Sequence, residues 1–321
     1  MTGATAGTAI LKVPNEETED LRVVTLTINN SCNLACDHCY LQYDGARNTL
    51  SEADAQRILD ANFNLLTIVG KEPTLHPNIV QRLASENKAR ERVTGMITNG
   101  TLLSKMPEQA LSALDYIDVS FDGGPETYGQ RRRADFNAVI DNIKQTSPNV
   151  GAINALHTLY SENIRDLTDM MKLEDCFDFH TIAFSLYKVP HNHGFVRVSS
   201  GSLIHQTLPA LSENQPFMDS RRTQLLLSRA DLTSGDPEQF FDKVEELGLK
   251  AKVHYCEDPL QLGFVRVTYD GRVLTPHDAI HPILYRTTGY SLNDPRFATL
   301  NAIFSELQQN NSAQAPLPQS L

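Results

Sequence analysis

Apolar and polar positions along this chain switch repeatedly between two periods. Short apolar runs rich in β-branched residues alternate with longer stretches whose apolar residues recur at helical spacing. The runs predict strands at 23–28, 65–69, 93–98, 116–121, 150–158 and 180–187. The intervening stretches predict helices near 51–62, 77–88, 106–114, 135–145 and 163–173. Ser51 followed by Glu52 and Asp54 supplies a cap and early acidic residues for the first helix. Pro107 suits an opening helical turn. Strands alternating with helices at this pitch imply parallel βαβ units and an α/β fold. Six such units are counted, and pattern alone does not distinguish six from eight.

After about residue 190 the alternation breaks. Residues 202–247 read as helical, interrupted at Pro209, Pro216 and Gly235-Asp236-Pro237. The run from Phe264 to Leu274 reads as a hairpin, because Asp270-Gly271 is a strong two-residue turn signal. A last helix is expected at 296–308. The division expected is a loose arm at 1–20, the βα unit at 21–190, an extension with a hairpin and helices at 191–308, and a disordered tail at 309–321. The tail follows from its Gln, Asn, Ser, Ala and Pro content.

The first predicted strand runs into Cys32-Asn33-Leu34-Ala35-Cys36-Asp37-His38-Cys39, three of the five cysteines in the chain. Scarce thiols bunched at a strand end read as metal ligands and not as a disulfide framework. Three thiolates do not close a tetrahedral structural zinc site alone. His38 could be a fourth ligand, although its neighbour Cys39 makes that geometry cramped. An iron–sulfur cubane held by three thiolates keeps one iron open for substrate chemistry. A loop of buried, unreactive cysteines and an incomplete zinc site remain alternatives.

The C-x3-C-x2-C spacing after a first strand resembles the signature of the radical S-adenosylmethionine (SAM) enzymes. The resemblance covers roughly residues 20–190 and implies a partial (βα)6 TIM-like barrel. It implies a [4Fe–4S] cluster on Cys32, Cys36 and Cys39, with S-adenosylmethionine on the open iron. In that family one electron cleaves the cofactor to methionine and a 5′-deoxyadenosyl radical, which removes hydrogen from an unactivated C–H bond. The cofactors carry the hard chemistry and the protein supplies orientation and exclusion.

Barrel sites gather at the C-terminal ends of the strands, and further motifs stand there. Val69-Gly70-Lys71-Glu72-Pro73 is similar to the family's Gly-Gly-Glu-Pro, with Lys71 in the second glycine's place. The resemblance assigns Gly70 and Glu72 to the methionine amino group. Ile97-Thr98-Asn99-Gly100 is similar to Thr-Asn-Gly and brings Asn99 to the cofactor. Ser120-Phe121-Asp122-Gly123 implies Ser120 and Asp122 facing the ribose and methionyl portions. The Gly124 to Arg132 segment resembles one whose arginine clamps the methionine carboxylate, a task suited to a bidentate fork. Counting from Pro125 favours Arg132 over Arg131. Tyr40 completes the first loop, and Asn154, His157 and Ser185 are expected at the same mouth.

The last third resembles a SPASM or twitch extension, a region that binds auxiliary clusters in many members. Cys256 and the Asp270-Gly271 hairpin match its scaffold, but His277 lies near the place of the second cysteine. A four-thiolate auxiliary cluster therefore does not form. That shifts the expected outcome toward epimerisation, or toward oxidation through the main cluster. An epimerase needs a hydrogen donor, and a thiol is a good one. Cys256 is the first candidate and Cys176 the second.

Composition narrows the partners. Hydrophobic residues are 40%, charged residues 21%, and the net charge is −11. No basic face is available for a phosphate backbone, which argues against nucleic acid. An acidic chain attracts cationic substrates. No apolar run approaches the ~20 residues that span a bilayer, and no secretory signal is visible, so a cytoplasmic protein is expected. The expected substrate is a small polar natural product such as an amino sugar, and the reductant is a flavodoxin or ferredoxin. The rival is a maturase of ribosomal peptides, disfavoured because only about twenty residues precede the first strand. A redox sensor binding iron–sulfur or zinc is the rival from another class.

Overall fold

The computed structural model describes residues 22–36, 38–39, 48–160, 162–186, 200–214, 223–228, 237–249, 253–256, 264–274, 291–293 and 299–313. The expected arm at 1–20, Tyr40 and His277 lie outside these residues. Eight strands follow one another in chain order: β1 (Val23–Thr27), β2 (Leu65–Val69), β3 (Val93–Thr98), β4 (Tyr116–Ser120), β5 (Ala152–Leu159), β6 (Thr181–Leu186), β7 (Thr223–Ser228) and β8 (Val253–Cys256). Each is parallel to the one before it in a single sheet. Two more strands lie on the other side of β1. β9 (Phe264–Val267) pairs with it in parallel, and β10 (Val273–Leu274) returns antiparallel.

The outermost strands of this sheet are β8 and β10. The fold is therefore an open α/β sheet, the partial TIM-like barrel expected. The parallel run continues two strands beyond the six counted. The stretch 202–247 was expected to be helical, yet β7 lies inside it, between the helices 200–213 and 237–246. Leu225-Leu226-Leu227 favours a helix on intrinsic propensity, but the ladder to β6 overrides that preference. Ile182 pairs with Thr223 and Ser185 with Leu226.

The helices among the described residues are α1 (Glu52–Leu59), α2 (Pro77–Ala89), α3 (Glu108–Ser112), α4 (Tyr128–Arg132), α5 (Phe136–Thr146), α6 (Leu167–Met171), α7 (Ser200–Glu213), α8 (Pro237–Glu246) and α9 (Leu300–Ala313), and all but the short α4 overlap stretches predicted to be helical. Ser51 caps α1, its hydroxyl accepting from the Asp54 amide at 3.1 Å. Asp135 caps α5 in the same way. The last helix runs to Ala313, into the stretch where composition predicted a tail, because Leu307, Gln308 and Gln309 are good helix formers.

Side-chain alternation divides the sheet into two faces. Val24, Leu26, Ile68, Met96, Ile117, Val119, Ala155 and Phe184 are buried toward the helices with Ile58, Leu83, Val139 and Ile143. The opposite, inner face carries Thr25, Thr67, Gly95, Tyr116, Asp118, Ser120, Asn154 and Ser185, tied by register. Gly95 is needed there. A Cβ would lie 2.0 Å from the Tyr116 ring, which crosses it to hydrogen-bond Thr67 at 3.0 Å. The predicted hairpin is present, with Gly271 at φ +79°.

Candidate active site

The three clustered cysteines leave β1 as a loop at the C-terminal edge of the sheet. Cys32 and Cys36 are half-buried and Cys39 is exposed. The Cys39 amide donates to the Cys36 carbonyl at 3.1 Å, which folds the second half of the loop back. Cys32 Sγ accepts from the Leu34 amide at 3.3 Å and from Asn99 Nδ2 at 3.7 Å. Burial pushes both the Cys32 and Cys36 thiols up. At Cys36 the Arg132 guanidinium works against that rise, and its Nη1 lies 4.0 Å from the sulfur. Among the described residues no three His, Cys, Asp or Glu side chains are grouped to hold a single metal ion.

The loops after β2 and β3 are fastened to this one. Asn29, fully buried, was not foreseen from sequence. Its Oδ1 accepts from the Lys71 amide at 3.1 Å and its Nδ2 donates to the Glu72 carbonyl at 2.8 Å. A Cβ at Gly70 would meet that Oδ1 at 2.3 Å, so glycine is required for this close approach. Glu72 is fully buried. Its Oε1 accepts from the Thr74 amide and hydroxyl and from the Thr98 hydroxyl, and its Oε2 from the Asn99 amide at 2.8 Å. Burial pushes its pKa up even so. Oε2 keeps acceptor capacity for a further donor. Asn99 reaches Asn33 at 3.0 Å and accepts from Thr101, which joins the cysteine loop to β3.

Asp122 follows β4 in a left-handed conformation, φ 55°. It is fully buried. Oδ1 accepts from the Thr158 amide at 2.6 Å, and Oδ2 lies 2.8 Å from His38 Nε2 and is ion-paired with Arg132. Burial alone would raise its pKa. The Arg132 charge and the His38 hydrogen bond outweigh that and hold the carboxyl well below the usual range. His38 stacks on Tyr160 with ring centroids 5.4 Å apart. The histidine considered as a fourth metal ligand is thus engaged as a tether between the cysteine loop and β4. The two arginines take separate partners. Arg131 turns to Asp166 at 2.6 Å, whereas Arg132 lies between Asp122 and Cys36.

Asn154 and Ser185 lie on the inner face of the sheet. His157 does not join them. It is three residues from Asn154, so alternation sends it to the helix side, where it is fully buried. There it lies between Phe121 and Phe184, centroids 6.1 and 5.1 Å away. Burial depresses its pKa to about 4. Asn154 Nδ2 donates to Asp118 Oδ1 at 2.8 Å, a carboxylate that sequence reading passed over. Ser120 shares that face of β4. Cys176 lies before β6, after the 3-10 turn Lys172–Asp175, and packs on the core. It stands at the N-terminal edge, with His180 bonded to Ile153, the end of the sheet remote from the cysteine loop. Cys256 ends β8, in register with Ser228.

Residues 26–173 match the model of the Radical SAM superfamily. The chain carries a radical SAM domain. Among curated proteins it is similar to the probable GTP 3′,8-cyclase of Methanocaldococcus jannaschii, 27% identical over 181 residues, 53% of this chain and 60% of that one. It is also similar to that of Methanothermobacter thermautotrophicus, 32% identical over 118 residues, 35% and 39% of the two chains. The matched regions therefore span 39% to 60% of these relatives' lengths. Two solved structures share the fold. Streptococcus suis SuiB bound to precursor peptide SuiA has a TM-score of 0.63 at 14% identity, covering 88% of this chain and 67% of that one. Native anSMEcpe with bound AdoMet and Cp18Cys peptide has a TM-score of 0.60 at 18% identity, covering 89% and 80%.

The radical SAM family uses a [4Fe–4S] cluster and S-adenosylmethionine. The rim of this barrel fits such a group. It offers three soft thiol donors on one loop, and Arg132 beside them has a buried Nε without a hydrogen-bond partner.

Proposed function

We propose that this protein is a radical SAM enzyme that acts on a small polar natural product such as an amino sugar, by epimerisation or dehydrogenation. Cys32, Cys36 and Cys39 would hold the cluster. Gly70, Glu72, Asn99, Ser120, Asp122 and Arg132 would hold S-adenosylmethionine, with Tyr40, Asn154 and Ser185 completing the set. When bound, the group supplies a 5′-deoxyadenosyl radical that takes hydrogen from a C–H bond. The carrying observation is the convergence of four separate strand-end loops on the thiols through Asn29, Glu72, Asn99, Asp122 and Arg132.

Each residue has a task that its placement supports. Glu72 Oε2 accepts from an amino group. Arg132 screens charge next to Cys36. His38 and Asp122 tie the thiol-bearing loop to the end of β4. Cys256 stands at the C-terminal end of β8, the end where barrel chemistry occurs, and is the proposed hydrogen donor. Cys176 lies at the wrong end of the sheet for that role. A flavodoxin- or ferredoxin-type reductant and a cytoplasmic setting belong to the same reading. Among the described residues no helix is long and apolar enough to cross a membrane.

The net charge of −11 favours a cationic substrate over an anionic one such as GTP. A maturase acting on a ribosomal peptide is the second reading, favoured by the peptide-bound neighbours of the same fold. The test is a deuterated substrate panel with reduced, iron-loaded protein. Deuterium carried from an amino sugar into 5′-deoxyadenosine supports the first reading, and deuterium carried only from a peptide supports the second. A Cys256→Ala variant that cleaves the cofactor with substrate but forms no epimer assigns the donor, and unchanged epimer removes Cys256 from the mechanism.

A further inference from the structure

The inner wall of the sheet holds acceptors that lack donors. Asp118 on β4 is in register with Asn154 on β5. Asn154 gives its Nδ2 to Asp118 Oδ1 at 2.8 Å. Its own carbonyl oxygen is left buried and without a hydrogen-bond partner. One row nearer the C-terminal edge, Ser120, Leu156, Ala183 and Gln224 are aligned across four strands. Gln224 Oε1 is again buried and without a partner. Burial raises Asp118 to about 6, opposed only by the Asn154 hydrogen bond, so at neutral pH it is mostly ionised.

The fully buried carboxylates of the barrel are compensated. Asp122 has Arg132 and His38. Glu72 has the Thr74, Thr98 and Asn99 donors, and Asp54 has Arg57 and Ser51. Among the described residues no cation pairs with Asp118. A half-buried carboxylate without a counter-charge beside two orphan carbonyls is costly to keep. A ligand bringing charge and donors would remove that cost.

The chemistry of the acceptors selects the ligand. An ammonium offers three donors that can point at separate acceptors. A guanidinium would want both oxygens along one carboxylate edge, and Asn154 already occupies Asp118 Oδ1. The Gln224 carbonyl, nearer the rim, would take a hydroxyl or a second N–H. We propose that Asp118 and Asn154 bind the primary ammonium group of a small, donor-rich substrate on the inner wall of β4 to β7, with Gln224 accepting from one of its hydroxyls. This deepens the radical SAM reading above and rests on it. It places Asn154 with the substrate instead of the cofactor. The amine end is anchored about one pleat repeat, ~7 Å, below the rim, and the rest of the molecule extends toward the thiols.

The test uses the full, iron-loaded chain and two sugars, D-glucosamine and N-acetyl-D-glucosamine, measured by ligand-observed NMR and calorimetry. Acetylation removes the charge and keeps the hydroxyls. The expected result is saturable glucosamine binding, about tenfold or more weaker for the acetylated sugar, and about tenfold weaker for Asp118→Asn. Gln224→Leu should weaken glucosamine less than Asp118→Asn and leave binding of methylammonium, a competitor without hydroxyls, unchanged. Equal binding of the two sugars, no saturable glucosamine binding, or full affinity in both variants overturns the site. If Asp118→Asn fails to fold, the wild-type sugar pair and Gln224→Leu still decide. Cofactor cleavage is scored separately. Cleavage without ammonium selectivity sinks this site alone, and ammonium binding by a chain that never cleaves the cofactor sinks the enzymatic reading alone.

Discussion

At the rim of β1 to β4 the buried carboxylates find their donors inside the protein, whereas on the inner wall of β4 to β7 a half-buried one does not. Glu72 accepts from two threonines and a backbone amide, and Asp122 is clasped by a histidine, an arginine and the Thr158 amide. A few residues away Asp118 has a single amide donor, and the neighbouring Asn154 and Gln224 carbonyls have none. A rim finished in advance suits a group that must be held in one pose. A wall left open suits a ligand that supplies the missing donors itself.

The contrast can be broken from either side. The largest effect is expected at the thiols, where replacing any of Cys32, Cys36 or Cys39 by Ala takes 5′-deoxyadenosine release to the detection limit. Next is Asp122→Ala, which strands the Arg132 charge in a buried site. It should cost about 4 kcal/mol in a denaturant melt of the metal-free chain. Its pH signature has a definite sign. The folded carboxyl titrates below the unfolded one, so the stability it contributes is present above about pH 4 and is lost as pH falls further. That acid sensitivity should disappear in Asp122→Ala. Glu72→Gln keeps the shape but turns an NH2 toward donors, and should cost about 2–3 kcal/mol.

The smallest effect has the opposite direction. Asp118→Asn should stabilise the ligand-free protein at pH 7.5 by about 2 kcal/mol, since it removes a half-buried charge that has no counter-charge and keeps an acceptor for Asn154. The folded pKa, about 6, lies above the unfolded value. Wild-type stability from Asp118 is therefore greatest below about pH 4 and declines as pH rises through 6, and the variant should lack that decline. Thermal melts across pH 4–8 check this. A destabilised Asp118→Asn would mean that the inner wall is compensated as fully as the rim.

What sequence made legible follows the same division. The first six strands fall within two residues of their predicted bounds, because alternating β-branched runs bounded by Gly, Asn and Asp state them locally. The rim motifs were visible because each sits within a few residues of a strand end. β7 was hidden because Thr223-Gln224-Leu225-Leu226-Leu227-Ser228 is made a strand by β6 and not by its own propensity. Asn29 and Asp118 were hidden because their partners, Glu72 and Asn154, lie dozens of residues away. His157 could have been excluded from the mouth by counting, since an odd spacing from Asn154 puts it on the other face. The contact of His38 with Asp122 was hidden in the same way, because the two lie on separate loops.

The central claim is that the loop after β1 holds an iron–sulfur cluster on three thiolates. Metal analysis of the anaerobically reconstituted chain, compared with its Cys36→Ala variant, tests it most directly. The account predicts about four irons and four sulfides per wild-type chain, an electron paramagnetic resonance signal on reduction that changes when S-adenosylmethionine is added, and loss of both in the variant. Zinc in place of iron, or a cluster retained without Cys36, would contradict it.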